Sequence, residues 1–194
     1  MELAFIQIEK SAGKTVARIM RRKYGTAHCD ASSWSRAPQL SDSDLDKVQA
    51  LYPNLESKAG HSVRPYGLSQ ARRDEFNFYT MLRNPVERCA AHYDYQVTVK
   101  KRSLSLSQWL DDEAYRNRQT KYLAGKEDLA SALGVLDSLF FVGITEKLHE
   151  SMVLLGAKLS IDTRFPEYQE SPTTRLGSEL LHNPESRALL ESAN

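Results

Sequence analysis

The sequence predicts an α/β fold: three layers, with a central, mainly parallel sheet flanked by helices. Three observations predict it. Apolar strand-like runs alternate with helix-period segments along the chain. Two of the strands run straight into turns that carry helix-start chemistry. Neither an internal repeat nor a Gly/Ser-rich linker divides the 194 residues, so 1–194 reads as one domain, within the usual ~100–200 residues per domain.

The elements follow in order. Leu3–Ile8, with Ala4, Ile6 and Ile8 alternating against Phe5 and Gln7, reads as a mostly buried first strand. The loop Glu9–Gly13 then opens a helix in which Val16, Ile19 and Met20 form the apolar stripe and Gly25 is the stop. Ser41–Leu51 is a second helix with an acidic start, ending before Pro53. Phe76–Leu82 is apolar enough for a buried strand. After it, Asn84 is a good N-cap, Pro85 fits the first helical position and Glu87 completes a capping box, opening a helix to about Tyr95. Leu104–Ala114, Asn117–Leu123 and Asp128–Leu136 read as short helices. Leu139–Val142 is a short buried strand closed by Gly143. Thr145 and Glu146 open a helix through Leu155 that stops at Gly156, and Asn183-Pro184-Glu185 starts a last one.

Composition narrows the function classes. Twenty-six Lys and Arg against 25 Asp and Glu leave a net charge of +1, which argues against a uniformly basic nucleic-acid binder and against an acidic disordered tail. Two cysteines, Cys29 and Cys89, are too few for a disulfide framework, and no Cys/His spacing suggests a metal, so no metal is expected. No stretch approaches the ~18 apolar residues of a membrane span, and the first residues lack a signal peptide's basic and apolar regions. The expectation is a cytoplasmic protein, lumenal only if an upstream anchor has been removed. The charges are segregated nonetheless: residues 10–23 hold Lys10, Lys14, Arg18, Arg21, Arg22 and Lys23 and no acid.

In an open parallel sheet, ligands sit outside the carboxyl ends of the strands, so the turns Glu9–Thr15 and Arg83–Glu87 are where chemistry is expected. In the first, Ser11, Ala12 and Gly13 are small enough for an anion to reach the backbone N–H groups at a helix start. Lys10, Lys14 and the Thr15 hydroxyl add donors. The Gly-Lys-Thr run satisfies the second half of the Walker A pattern, but the position of its first Gly is Ile8. No strand ends in an obvious Asp for Mg²⁺; Asp137 precedes a strand. The loop is expected to take a short anion without a metal, with a P-loop kinase or ATPase as the alternative.

Phe5–Thr15 resembles the 5′-phosphosulfate loop of the sulfotransferases that use 3′-phosphoadenosine 5′-phosphosulfate (PAPS), commonly F-I-H-I-P-K-T-x-G-S/T-S/T. Thr80–Arg88 followed by Ala91-His92-Tyr93 is similar to that family's 3′-phosphate motif, R-D/N-P-x-x-R-x-x-S-x-Y. Gly60-His61 with Pro65-Tyr66-Gly67, Gln119–Gly125 and Val142–Glu146 match in the same order, over about residues 3–156. Two positions depart from the pattern: Glu9 replaces the proline before the lysine, and Ala91 replaces the motif's serine.

The resemblance implies a P-loop-like nucleotide-binding fold. It implies transfer of a sulfuryl group from PAPS to a hydroxyl on a carbohydrate or small metabolite, leaving 3′,5′-adenosine bisphosphate (PAP). It places Lys10 at the catalytic lysine and His61 at the general base, with a loop histidine of no catalytic part as the alternative. The donor would be held by Lys10, Ser11, Ala12, Gly13, Lys14 and Thr15 on one side. Arg83 and the Ala91 position would face the 3′-phosphate, with Arg88 compensating for the lost hydroxyl. Lys121 is either a further donor or plain helix surface. Residues that choose the acceptor are expected in loops such as Cys29–Pro38 and Lys100–Ser107. His28, His92, His149 and His182 are expected at the surface. The last helix normally continues in relatives, so a truncated C-terminus is an expectation too. The remaining class is a non-catalytic nucleotide-binding descendant.

Overall fold

The computed structural model describes residues 1–31, 38–162 and 175–194. Five parallel strands form one sheet in the order β2-β3-β1-β4-β5: β1 (Glu2–Ile6), β2 (His28–Asp30), β3 (Ser57–Gly60), β4 (Phe76–Leu82) and β5 (Phe141–Ile144). Between them run α1 (Gly13–Tyr24), α2 (Asp42–Leu51), the single-turn α3 (Gln70–Arg73), α4 (Pro85–Asp94), α5 (Leu106–Asp111), α6 (Arg118–Ala124) and α7 (Leu129–Ser138). After β5 come α8 (Leu148–Leu159), α9 (Arg175–His182) and α10 (Pro184–Ser192).

The two-residue period of β1 builds the layers. Leu3 and Phe5 pack with Val16, Ile19 and Met20 of α1 and Met152 and Leu155 of α8. Ala4 and Ile6 pack on the opposite face with Leu45, Phe76, Phe78, Tyr122 and Leu123. Burying each large side chain stabilises the fold by roughly 1.5–3 kcal/mol. A third cluster, Cys89, Tyr93, Leu106, Trp109, Leu180 and Leu190, backs α4 with α5, α9 and α10.

The structure departs from expectation in places. β2 and β3 were not anticipated: Ser57 and Lys58 are polar yet buried, the Lys58 ammonium pairing with Glu2. β1 ends at Ile6, before Gln7 and Ile8. Glu87 does not close a capping box, because its carboxylate turns to Arg83 while the Asn84 side chain alone accepts from the Val86 and Glu87 N–H groups. α4 continues through a π-helical turn, Tyr95–Val99. Leu104–Ala114 is divided, α5 ending at Asp111 before a 3₁₀ turn, Glu113–Tyr115. Gly143 lies within β5, and Gly156 within α8. Of the predicted acceptor loop Cys29–Pro38, positions 32–37 lie outside the described residues, and Cys29 belongs to β2. No helix among the described residues is long and apolar enough to cross a membrane.

The chain leaves β1 toward β2 and leaves β4 toward β5, so its direction reverses between adjacent strands β1 and β4. The carboxyl ends of these two strands flank the topological switch point, where such sheets bind ligands.

Candidate functional site

Three neighbouring strand ends supply the predicted site. β3 ends at Gly60 and delivers His61; β1 runs through Gln7 and Ile8 into Glu9–Ala12; β4 delivers Arg83. Gly60 is required here, since a Cβ on it would stand 2.2 Å from the Ala31 carbonyl oxygen.

The turn after β1 has an unusual backbone. Lys10 and Ala12 both adopt left-handed conformations, at φ 65° and 56°. This rotates the loop so that α1 begins at Gly13 with no side-chain cap and no acid in its first turn. Ala12 accepts from the Thr15 and Val16 N–H groups, whereas the N–H groups of Gly13 and Lys14 have no partner among the described residues. The Ser11 hydroxyl is fully buried and equally unpartnered. Uncapped helix N–H groups beside a cation-rich sequence form an anion cradle.

Lys10 lies inside this frame. Its Nζ stands 3.9 Å from the centre of the Tyr95 ring, a cation–π contact at the first residue of the π-helical turn. Burial lowers the Lys10 pKa, the Lys14 and Arg83 charges lower it further, and Asp94 opposes them. Lys14 itself is exposed.

Glu9 is answered by the protein itself. Arg118 donates to both its carboxylate oxygens at 3.3 and 2.8 Å, and the Tyr122 hydroxyl donates at 2.5 Å. Burial would raise its pKa, but these donors outweigh burial and hold it down at about 2. The carboxylate is therefore ionised, with its charge balanced away from the cradle.

Arg83 reaches across the switch point, its Nη1 3.4 Å from the Lys10 carbonyl oxygen, and pairs with Glu87 at 3.5 Å. Its backbone is held at both ends by Gln119, whose Oε1 accepts from the Arg83 N–H at 3.0 Å and whose Nε2 donates to the Arg83 carbonyl at 2.9 Å. The Asn84 N–H donates to Glu146 at 2.6 Å, and Thr145 donates to the Leu82 carbonyl. Val142–Glu146 thus supports the second turn from β5.

His61 is exposed. Its Nδ1 lies 2.7 Å from the Gln7 carbonyl oxygen, so Nδ1 carries the proton and Nε2 is the basic nitrogen, with the Gln7 amide nitrogen 3.4 Å away.

The structure brings Lys10, Ser11, Ala12, Gly13, Lys14, Thr15, Arg83 and His61 to the ends of three adjacent strands. The other two predicted residues stand differently. Ala91 is half-buried on α4, one turn before Tyr95. The Lys121 ammonium is engaged by the Glu113 carbonyl and the Glu127 carboxylate. Arg88 is fully buried, with burial lowering its pKa, and its guanidinium nitrogens have no hydrogen-bond partner among the described residues. Two histidines expected at the surface are also interior: His92 is buried, and the His28 side chain packs beside Ser57.

The model of the sulfotransferase family matches residues 1–133, more than half of the chain. This chain belongs to the sulfotransferase family. Among solved structures it is similar to a sulfotransferase from Alicyclobacillus acidocaldarius, with 18% sequence identity, a TM-score of 0.51, and coverage of 99% of this chain and 95% of that one. At that identity the likeness speaks for the fold alone. No curated protein matches the chain.

The candidate site holds three features that residue patterns did not reveal: Tyr95 against the lysine, Arg118 and Tyr122 against Glu9, and Gln119 against the arginine backbone. The Gln119–Gly125 block carried a signal for the last, but its partner is a main chain, which no side-chain motif records.

Proposed function

We propose that this sulfotransferase transfers a sulfuryl group from PAPS to a hydroxyl of a carbohydrate or small metabolite and releases PAP. One observation carries the reading: an anion cradle with open backbone donors, and an arginine from the neighbouring strand's turn, meet at the switch point. Two separate anion sites on adjacent turns suit a nucleotide with phosphates at both its 5′ and 3′ positions. The buried, unpartnered Ser11 hydroxyl fits the same group, because it is a donor that the protein leaves unused.

The Gly13 and Lys14 N–H groups, Lys14 and Thr15 would hold the 5′-phosphate, with Ser11 and Ala12 lining the turn. Arg83 would hold the 3′-phosphate through charge-assisted hydrogen bonds, and Ala91 leaves that subsite one hydroxyl poorer. PAPS supplies an activated sulfuryl group whose S–O bond to the phosphate breaks on transfer. Lys10 answers the negative charge that grows on the bridging oxygen, and its lowered pKa leaves its ammonium less firmly protonated than a free lysine. His61 Nε2 accepts the proton of the acceptor hydroxyl, with Nδ1 fixed by the Gln7 carbonyl. Lys121, tied to Glu127, contributes to the site through the placement of α6.

Calorimetric titration tests the reading. Binding of 3′,5′-adenosine bisphosphate in clear preference to ATP·Mg²⁺ is expected. Preference for ATP·Mg²⁺ would point to a phosphotransferase, and silence with both to a non-catalytic descendant. Transfer of labelled sulfur from PAPS to a panel of hydroxyl acceptors then tests the activity itself.

A further inference from the structure

Glu9 and Arg83 sit on different turns, after different strands, yet both are held by side chains of α6. Arg118 and Tyr122 grip the Glu9 carboxylate; Gln119 grips the Arg83 main chain at N–H and C=O together. The helix is itself secured. Asn117, its left-handed N-cap residue, donates its N–H to the Ala193 carbonyl at 2.9 Å, and Tyr122 and Leu123 are buried in the core. Of these contacts the Glu9 carboxylate and Arg118 are charged and mutually compensating, so the grip needs no ligand to exist.

We propose that the start of α6 is the positioning element that sets the distance between the two anion-binding turns, with Arg118 acting through Glu9 and Gln119 through Arg83. Neither side chain meets the donor nucleotide. Their role is to hold apart, at a fixed span, two subsites that one rigid ligand must fill together. On this account Glu9 is the handle by which α6 holds the first turn. A proline at this position would offer Arg118 no carboxylate.

The inference rests on the donor reading above, and ligands that span one turn or both separate the two. 5′-AMP engages the first turn alone; 3′,5′-adenosine bisphosphate engages both. The quantity to measure is the ratio of their dissociation constants, the gain contributed by the 3′-phosphate. In Gln119→Ala that gain is expected to fall about 10-fold while 5′-AMP binding stays close to wild type, because a misplaced partner loses geometry-dependent hydrogen bonds. Gln119→Glu keeps the acceptor for the Arg83 N–H but loses the donor to its carbonyl, and a smaller fall of about 3-fold is expected. Arg118→Met should reduce the gain in the same sense, and Glu9→Gln, which can still accept from Arg118, should restore part of it relative to Glu9→Ala. General structural damage would weaken both ligands in parallel. A parallel loss in both Gln119 variants, or an undiminished gain in Gln119→Ala, overturns the positioning role. If the wild-type protein shows no gain from the 3′-phosphate, the donor reading falls and the inference falls with it.

Discussion

The turns after β1 and β4 are neighbours that look alike in sequence, each a strand end followed by a helix start, yet they are built on opposite principles. After β4 every early backbone donor is satisfied by the protein: Gln119 takes the Arg83 N–H, Glu146 that of Asn84, and the Asn84 side chain those of Val86 and Glu87. After β1, among the described residues, the Gly13 and Lys14 N–H groups stay open, the helix has no side-chain cap, and a buried hydroxyl has no partner. The second turn is a finished mount that offers a ligand one side chain, Arg83. The first is an unfinished helix start that offers its main chain. A phosphate bound at the first turn would complete the helix, whereas one bound at the second would only answer a cation.

The difference is sharpest in the response to losing a side chain. Lys10→Ala removes the charge aimed at the reacting oxygen while leaving the main-chain cradle intact. The rate of sulfuryl transfer should fall on the order of 10²–10³-fold, with little change in affinity for the bisphosphate product. Steady-state kinetics with PAPS, beside calorimetry with PAP, checks it; an undiminished rate removes Lys10 from the mechanism. Arg83→Ala takes the only group its turn presents. The bisphosphate should then bind no better than 5′-AMP, a loss of about 10–100-fold for a charge-assisted pair. If the preference for the bisphosphate survived, the 3′-phosphate would have to lie elsewhere.

Acid separates the two regions by stability. On α4, behind the second turn, His92 is buried beside the Trp109 and Tyr115 rings, and burial lowers its pKa to about 4 from 6.5. The unfolded chain therefore takes up that proton first, and stability is lost as pH falls from 6.5 through about 4. Glu9, on the first turn, is held at about 2 against an ordinary 4.5, so its contribution is present above 4.5 and is lost as pH falls toward 2. Urea midpoints measured from pH 7 to 2.5 should fall in both windows. His92→Gln should flatten the upper one and Glu9→Gln the lower; a midpoint constant between pH 6.5 and 4 in the wild type refutes the first assignment.

How much of this was legible follows from the range of the contacts. Gly13-Lys14-Thr15 and Asn84-Pro85 announce helix starts after strands because capping and loop chemistry act over three or four residues. The sheet was legible where apolar period was strong, in β1 and β4. It was hidden in β2 and β3, where Ser57 and Lys58 are buried by pairing rather than by hydrophobicity. The partner of Glu9 lies 109 residues away, so the sequence shows a carboxylate in place of the pattern's proline but not the Arg118 that balances it. His92 looked like a helix-surface residue because the rings that cover it, Trp109 and Tyr115, come from α5 and the 3₁₀ turn after it.

The smallest expected effects are opposite in sign at the two helix caps. At the second turn Asn84 is a working cap, accepting from two N–H groups, and Asn84→Ala should cost about 1 kcal/mol of stability. At the first turn the cap position is Ala12, with no side-chain acceptor and a left-handed φ of 56°. A Cβ in that conformation costs roughly 1–2 kcal/mol, against which Gly gives up about 0.5–1 kcal/mol through the freedom of the unfolded chain. Ala12→Gly should therefore leave the protein slightly more stable, by about 0.5 kcal/mol. Paired urea titrations decide it: a loss at both positions would mean that the left-handed Ala12 carries no strain for glycine to relieve, and the contrast in sign would disappear.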